Sequence, residues 1–411
     1  MNCVSIHFSS FSACESFITT AADAISGVTV FNHTGCPILS GYVTLTNLIS
    51  STTSAFLANN GTNVIGPLVP GNSQTVFVPN IGTLVVFSAT TGLLVTGTVS
   101  VNASQLPIST CNIRGYVTNY GDGTVSVIDT STNMVIKTIT VGLQPVDAVL
   151  TPNGTNAYIT NEGDGTVSVI DTSTNMIMTT VTVGAKPQGA TITRDGSHVY
   201  IANSADDTVS KINTVTNTVS ATVTVGFLPS DVGVTPDGTR AYVTNFGSNP
   251  GEVSVIDTVT NLVVDTIIVG AFPSGVAITP DGTRAYVTNY GDSTVSVIDI
   301  ATNTIIGTPL IVGTNPLAIS ITRKGDRTYT TNSSDGTISV IDTVMNIVMA
   351  TVIVGSVPTD VGTTPNGTKA YVTNFGDATV SVVDTTTNMV IDTISVGTNP
   401  LGIGIGIIYS N

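Results

Sequence analysis

Residues able to do covalent chemistry are few in this chain of 411 and gather at one end. Cys3, Cys14, Cys36 and Cys111 are its only cysteines, and no other follows. They lack the paired C-x-x-C spacing of a zinc site, and His7, His33 and His198 are scattered, so the pattern points to disulfides and to no metal or cofactor. Pairing within one chain and cross-linking between chains both stay open. A second set of candidates is carboxylates with aromatics beside them: Tyr120, Asp122, Asp164, Phe246, Tyr290, Asp292, Phe375 and Asp377, with Asp147, Asp231 and Asp360 at a related spacing. Such a set can receive cations, basic partners or sugars, although solvated turns produce the same composition.

The elements that position these residues follow from an internal period. Tyr116-Val117-Thr118-Asn119 returns, with small changes, at Tyr158, Tyr200, Tyr242, Tyr286, Tyr329 and Tyr371. A period of about 42 residues fits one four-stranded propeller blade. In residues 274–316 the apolar runs Ser274–Thr279, Arg284–Asn289, Thr294–Asp299 and Thr304–Val312 are separated by Pro-Asp-Gly, Tyr-Gly-Asp and Asp-to-Asn turns. The expectation is therefore an all-β chain whose residues 113–411 form a seven-bladed β-propeller. Its first copy begins at the second strand, near Arg114, and the run Leu401–Ile408 supplies the missing innermost strand at the other end. Closure of this kind removes exposed sheet edges.

Recurrent Asp129, Asp171, Asp257, Asp299, Asp342 and Asp384, with Asn213 in the remaining copy, read as turn formers rather than catalysts. Propeller geometry places the carboxylate and aromatic set on one face and most basic residues, including Arg240, Arg284, Arg327 and Lys369, on the other. Asp147, Asp231 and Asp360 are expected near the mouth of the central channel. The loop from Gly247 to Glu252 is the longest departure from the repeat. Hydrolytic propellers, lactonase types among them, need a metal or a concentrated acid–base constellation, and neither is evident, so the chain is read as no enzyme.

These repeats resemble the YVTN β-propeller family, found also in microbial surface-layer proteins. That resemblance implies the fold and a surface location, with no single activity.

Before the repeats, residues 1–113 hold no Lys or Arg and only Glu15 and Asp23 as acids. Residues 1–22 read as a polar, cysteine-bearing arm, 23–103 as an antiparallel β-sandwich or jelly roll, and 104–112 as a linker. The elements Val28–Asn32, Gly41-Tyr42-Val43 and Gly97-Thr98-Val99 behind that arm are similar to those of the endospore appendage (Ena-type) pilins. In that family the arm of one subunit forms disulfides with others; Cys3 and Cys14 match the arm and Cys36 an acceptor. The chain departs from it in having no adjacent Cys-Cys pair and no cysteine in the last strand.

A net charge of -15 argues against nucleic acid, and no run approaches the apolar length of a membrane span or a secretory leader. The combined expectation is a structural protein of a spore surface, a fibre, appendage or coat subunit, that self-assembles through disulfides and displays a propeller head. A monomeric adhesin using the acidic and aromatic face to bind a surface protein or glycan is the alternative, with a lactonase-like hydrolase behind it.

Overall fold

The computed structural model describes the side chains of residues 112–408 and, before them, the backbone of eight strands between Ser5 and Asn102. The chain divides into two compact units, one of residues 1–110 and one running from Cys111 to Ser410.

In the first unit the described strands pair into two four-stranded sheets. Gly41–Asn47 is central to one, between Ser73–Val78 and Gly97–Asn102; Thr83–Ser88 and Ala55–Asn59 are central to the other. The packing that would make these sheets a sandwich lies outside the described residues, as do Cys3, Cys14, Cys36 and the side chain of Cys111.

The second unit is the seven-bladed propeller. Blades two to seven each take their four strands from consecutive sequence, innermost first; blade two, for example, runs Pro145–Leu150, Asn156–Asn161, Thr166–Asp171, Met176–Thr182. Blade one joins Thr110–Asn119, Thr124–Asp129 and Met134–Thr140 to the chain's last strand, Pro400–Ser410, which lies innermost. The closure read from the sequence is thus observed. Its outer partner begins at Thr110 rather than near Arg114, since the closing strand is 11 residues long where other inner strands have six.

Alternation explains why the last strand fits. Gly402, Gly404 and Gly406 face the inner strand of blade two, where a Cβ would lie 2.4 Å from the Val146 carbonyl oxygen, 2.3 Å from that of Ala148 and 2.8 Å from Leu150. Ile403, between two of these glycines, faces the other way and is buried in the cluster that includes Tyr371, while Ile408, in the glycines' own phase, is buried in the one that includes Tyr116 and Ala148 of blade two.

The repeated tetrapeptide holds neighbouring blades together. The Tyr116 hydroxyl donates to Asn175 Oδ1 in the outer turn of blade two at 2.9 Å, and Tyr158, Tyr242 and Tyr371 do the same for the next blade at 2.7, 2.7 and 2.8 Å. The Thr hydroxyl donates to an inner-strand carbonyl of the following blade: Thr118 to Val146, Thr244 to Ser274, Thr373 to Leu401. The last residue works within its blade, with Asn161 Nδ2 donating to Thr166 and Ser168. The acceptor asparagines, Asn133, Asn175 and their equivalents, have φ near 55°, a left-handed conformation that Asn tolerates.

Outer strands are edges, and each is interrupted. In six blades a bulge near the middle breaks the register, as between Val127 and Ile128; in blade five the strand splits around Gly307 and Pro309. Such interruptions blunt edge-to-edge pairing.

Candidate functional site

Two sets of loops define the two faces. The loop after each second strand bonds the loop entering the first strand of the same blade, as Tyr120 N–H does to the Asn399 carbonyl and Phe246 N–H to that of Leu228. The remaining turns bond each other on the opposite face, as Thr172 N–H does to Thr155. The carboxylate and aromatic residues singled out in the sequence sit with the first set.

Most of those carboxylates are employed locally. The Oδ2 of Asp164 accepts from Leu143 N–H at 2.6 Å, clasping the entering loop to its own blade. Asp122 clasps Thr398, Asp206 Ala185, Asp292 Ala271, Asp335 Thr314 and Asp377 Ser356 in the same way. These bonds hold the Asp122 carboxyl below its ordinary range. Recurrent Asp129, Asp257 and Asp384 accept N–H groups two and three residues ahead, which is the expected turn chemistry.

Asp147, Asp231 and Asp360 line the central channel, at the third position of inner strands. Each is half-buried, with protein on most sides. Asp147 accepts Ala148 N–H at 2.7 Å with Oδ1 and, across the blade boundary, Ala190 N–H at 2.8 Å with Oδ2. Asp231 joins Val232 to Val276, and Asp360 joins Val361 to Ile403 of the closing strand, in the same geometry. Burial raises all three carboxyls; the charge of Asp147 raises the other two further, and Asp360 is pushed up to about 7. The arrangement can hold protons inside the ring at neutral pH while bridging blades. Among the described residues no group of three His, Cys, Asp or Glu is placed to hold a metal ion.

Blade four breaks the pattern. Ser248 stands where the other blades have the clasping Asp, and Glu252 replaces the Thr that usually receives the asparagine amide. Asn245 Nδ2 still reaches Ser254 at 2.9 Å, but its buried Oδ1 has no partner, whereas the equivalent oxygen of Asn289 accepts Gly270 N–H. Beside this gap three rings from blades four and five meet, with Phe227 next to them over Gly247. Phe246 lies 5.5 Å from Phe272 and 5.9 Å from Tyr290, both at a tilt. Phe227 covers Gly247, where a Cβ would come within 2.5 Å of its ring, and Phe272 covers Gly291 within 2.6 Å. Phe227 is 56% exposed and Phe272 47%.

Of the expected face residues, the structure therefore brings Phe246 and Tyr290 into one cluster with Asp292 at its edge. Tyr120 sits on blade one, where burial first and the Glu162 carboxylate second raise its hydroxyl, and half-buried Phe375 is on blade seven. Phe227, Leu228 and Phe272 were not among the expected residues. Their signal was in the sequence: Phe227-Leu228-Pro229 and Ala271-Phe272-Pro273 stand where blade one has Thr398-Asn399-Pro400. Leu228 and Phe272 have φ of 50° and 52°, a conformation unfavourable for bulky residues and met without penalty by Asn399.

No family model and no curated protein matches the chain. Solved structures of similar fold include Kuenenia stuttgartiensis hydrazine synthase, 22% identical with a TM-score of 0.61 over 66% of this chain and 92% of that one. A functionally unknown protein from Desulfotomaculum acetoxidans is 17% identical, with a TM-score of 0.63 over 72% of this chain and 99% of that one. The dihydro-heme d1 dehydrogenase NirN is 15% identical, with a TM-score of 0.52 over 68% of this chain and 63% of that one. At these identities the likeness is one of fold. It corrects the expectation that the chain is no enzyme: two of these proteins are enzymes, so the lack of a catalytic signature in the repeats excludes nothing.

Proposed function

We propose that this chain is a structural, surface-displayed protein, a subunit of a spore-surface fibre or coat. Its N-terminal region, similar to the appendage pilins, assembles copies through Cys3, Cys14, Cys36 and Cys111, and its YVTN-type propeller is the displayed head. One observation carries the reading of the head: most of the recurrent side chains are consumed in joining blades or shaping turns, whereas aromatic residues that depart from the repeat gather on one face of blades four and five. A scaffold whose repeats are spent on rigidity and whose exceptions share a surface suits presentation of that surface to a partner. The disposition of the cysteines supports assembly outside the propeller.

Non-reducing electrophoresis beside negative-stain microscopy tests the assembly. High-mass species that dissolve only with reductant, and that Cys3→Ser with Cys14→Ser abolishes, are the expected result. Monomers under oxidising conditions would overturn it.

A further inference from the structure

The blade-four and blade-five cluster has the chemistry of a cation-recognising surface. Phe227 and Phe272 present ring area to solvent, with Phe246 and Tyr290 behind them. A carboxylate flanks it on either side. Asp207 Oδ1 accepts Leu228 N–H at 2.9 Å, and Asp292 Oδ2 accepts Ala271 N–H at 2.7 Å. Each keeps its other oxygen without a protein partner among the described residues.

The charge around the cluster is predominantly negative. The clasping aspartates ring this face, and Lys186, in the loop entering blade three, lies 3.6 Å from Glu162 of blade two, which offsets its charge. Such a field repels phosphates, anionic headgroups and acidic glycans and attracts a cation. A neutral sugar would stack on the rings and could donate hydroxyls to the carboxylates, but it gains nothing from the negative field around them. A guanidinium uses both, because its plane lies against an aromatic face while its N–H fork meets a carboxylate.

The geometry points to this cluster as the docking site for an arginine-bearing polypeptide segment of a partner protein, with the guanidinium over Phe272 or Phe227 and Asp207 or Asp292 receiving its N–H groups. The missing clasp in blade four leaves the loop from Gly247 to Gly251 free of the bond that fixes its counterparts, so the platform can adjust to its occupant. This inference rests on the reading of the propeller as a displayed head and adds the chemistry of what it meets.

Fluorescence anisotropy of labelled hexa-arginine with the full-length protein provides the test, with hexa-lysine and maltohexaose as competitors at low ionic strength. Phe227→Ala with Phe272→Ala changes no charge and is expected to weaken hexa-arginine binding about tenfold. Leu143→Ala with Asp164→Asn, at the matching place in blade two, should change it by no more than about twofold. Hexa-lysine should compete less well than unlabelled hexa-arginine. Absence of hexa-arginine binding, affinity that follows net charge whichever blade is altered, or displacement by maltohexaose would each overturn the proposal. The binding signal needs no assembly and can be read on the monomeric Cys3→Ser with Cys14→Ser variant, so it fails or succeeds separately from the assembly reading.

Discussion

On the face of the outer turns, Arg284 and Lys369 reach across to a carbonyl of the following blade at 2.7 and 2.8 Å, Lys211 does so at 2.8 Å and Arg327 makes the same bridge. On the opposite face the clasping aspartates hold a loop of their own blade, while Asp207 reaches Leu228 in the loop entering the next. The difference teaches which surface can vary. Removing a bridging cation loosens two blades, whereas losing a clasp, as blade four has, leaves the ring intact and only frees a loop. One face is tied to the fold and the other is available to function.

That contrast breaks most sharply at the ring's closure, which belongs to neither face. Deleting Pro400–Asn411 is expected to abolish the cooperative melting transition of the propeller, since blade one loses its inner strand and blades seven and two lose a neighbour; circular dichroism with heating reads it. A retained sharp transition would show that the blades stand independently. Gly402→Val, which places side-chain atoms against the Val146 carbonyl and Asp147 Cα, should cost about 3 kcal/mol in denaturant unfolding.

The channel carboxylates give the next effect, with its sign fixed by linkage. Asp360 is raised by burial and then by Asp147 to about 7 from an ordinary 3.8. The folded ring thus holds protons that the unfolded chain has released, so this contribution to stability is full below 3.8 and is lost as pH rises through about 7. Melting temperature should fall between these values in the native protein, and Asp360→Asn should flatten the slope while costing one of the two backbone bonds. A native profile that rises through this window would refute the buried placement.

Smaller effects separate bridged from unbridged blades. Tyr158→Phe removes a hydroxyl bonded to Asn217 and should cost about 1 kcal/mol. Tyr329→Phe should cost nothing or stabilise, because that buried hydroxyl has no partner. Equal losses at both sites would mean that the bridge does not contribute. Smallest of all, Asp164→Asn should loosen the loop at Leu143 by about 0.5 kcal/mol, visible as faster amide exchange at that loop alone.

Much of the ring was legible in advance because its information is local and repeated. The spacing of the tyrosines fixes the blade count, Asp129 and its equivalents fix the turns, and the phase of the first copy against Leu401–Ile408 fixes the closure. The platform was half legible: Phe246 and Tyr290 stood out as aromatics after the repeated Asn, while Phe227 and Phe272 lay hidden in loops whose lengths match the repeat. No helix among the described residues is long and apolar enough to cross a membrane, which says nothing of a strand-built span.

By itself, then, the sequence determined a ring of seven similar sheets, its seam and the unlike composition of its faces, since period, turn residues and alternation are properties of short segments. Tertiary structure alone decided that the tyrosine hydroxyl bridges to the next blade, that three aspartates from distant strands share one channel and shift one another's protons, and that rings from two blades form a platform. The physical reason is that these contacts join residues from neighbouring blades or distant strands, and ring curvature with a left-handed residue before each inner-strand proline sets which of them meet.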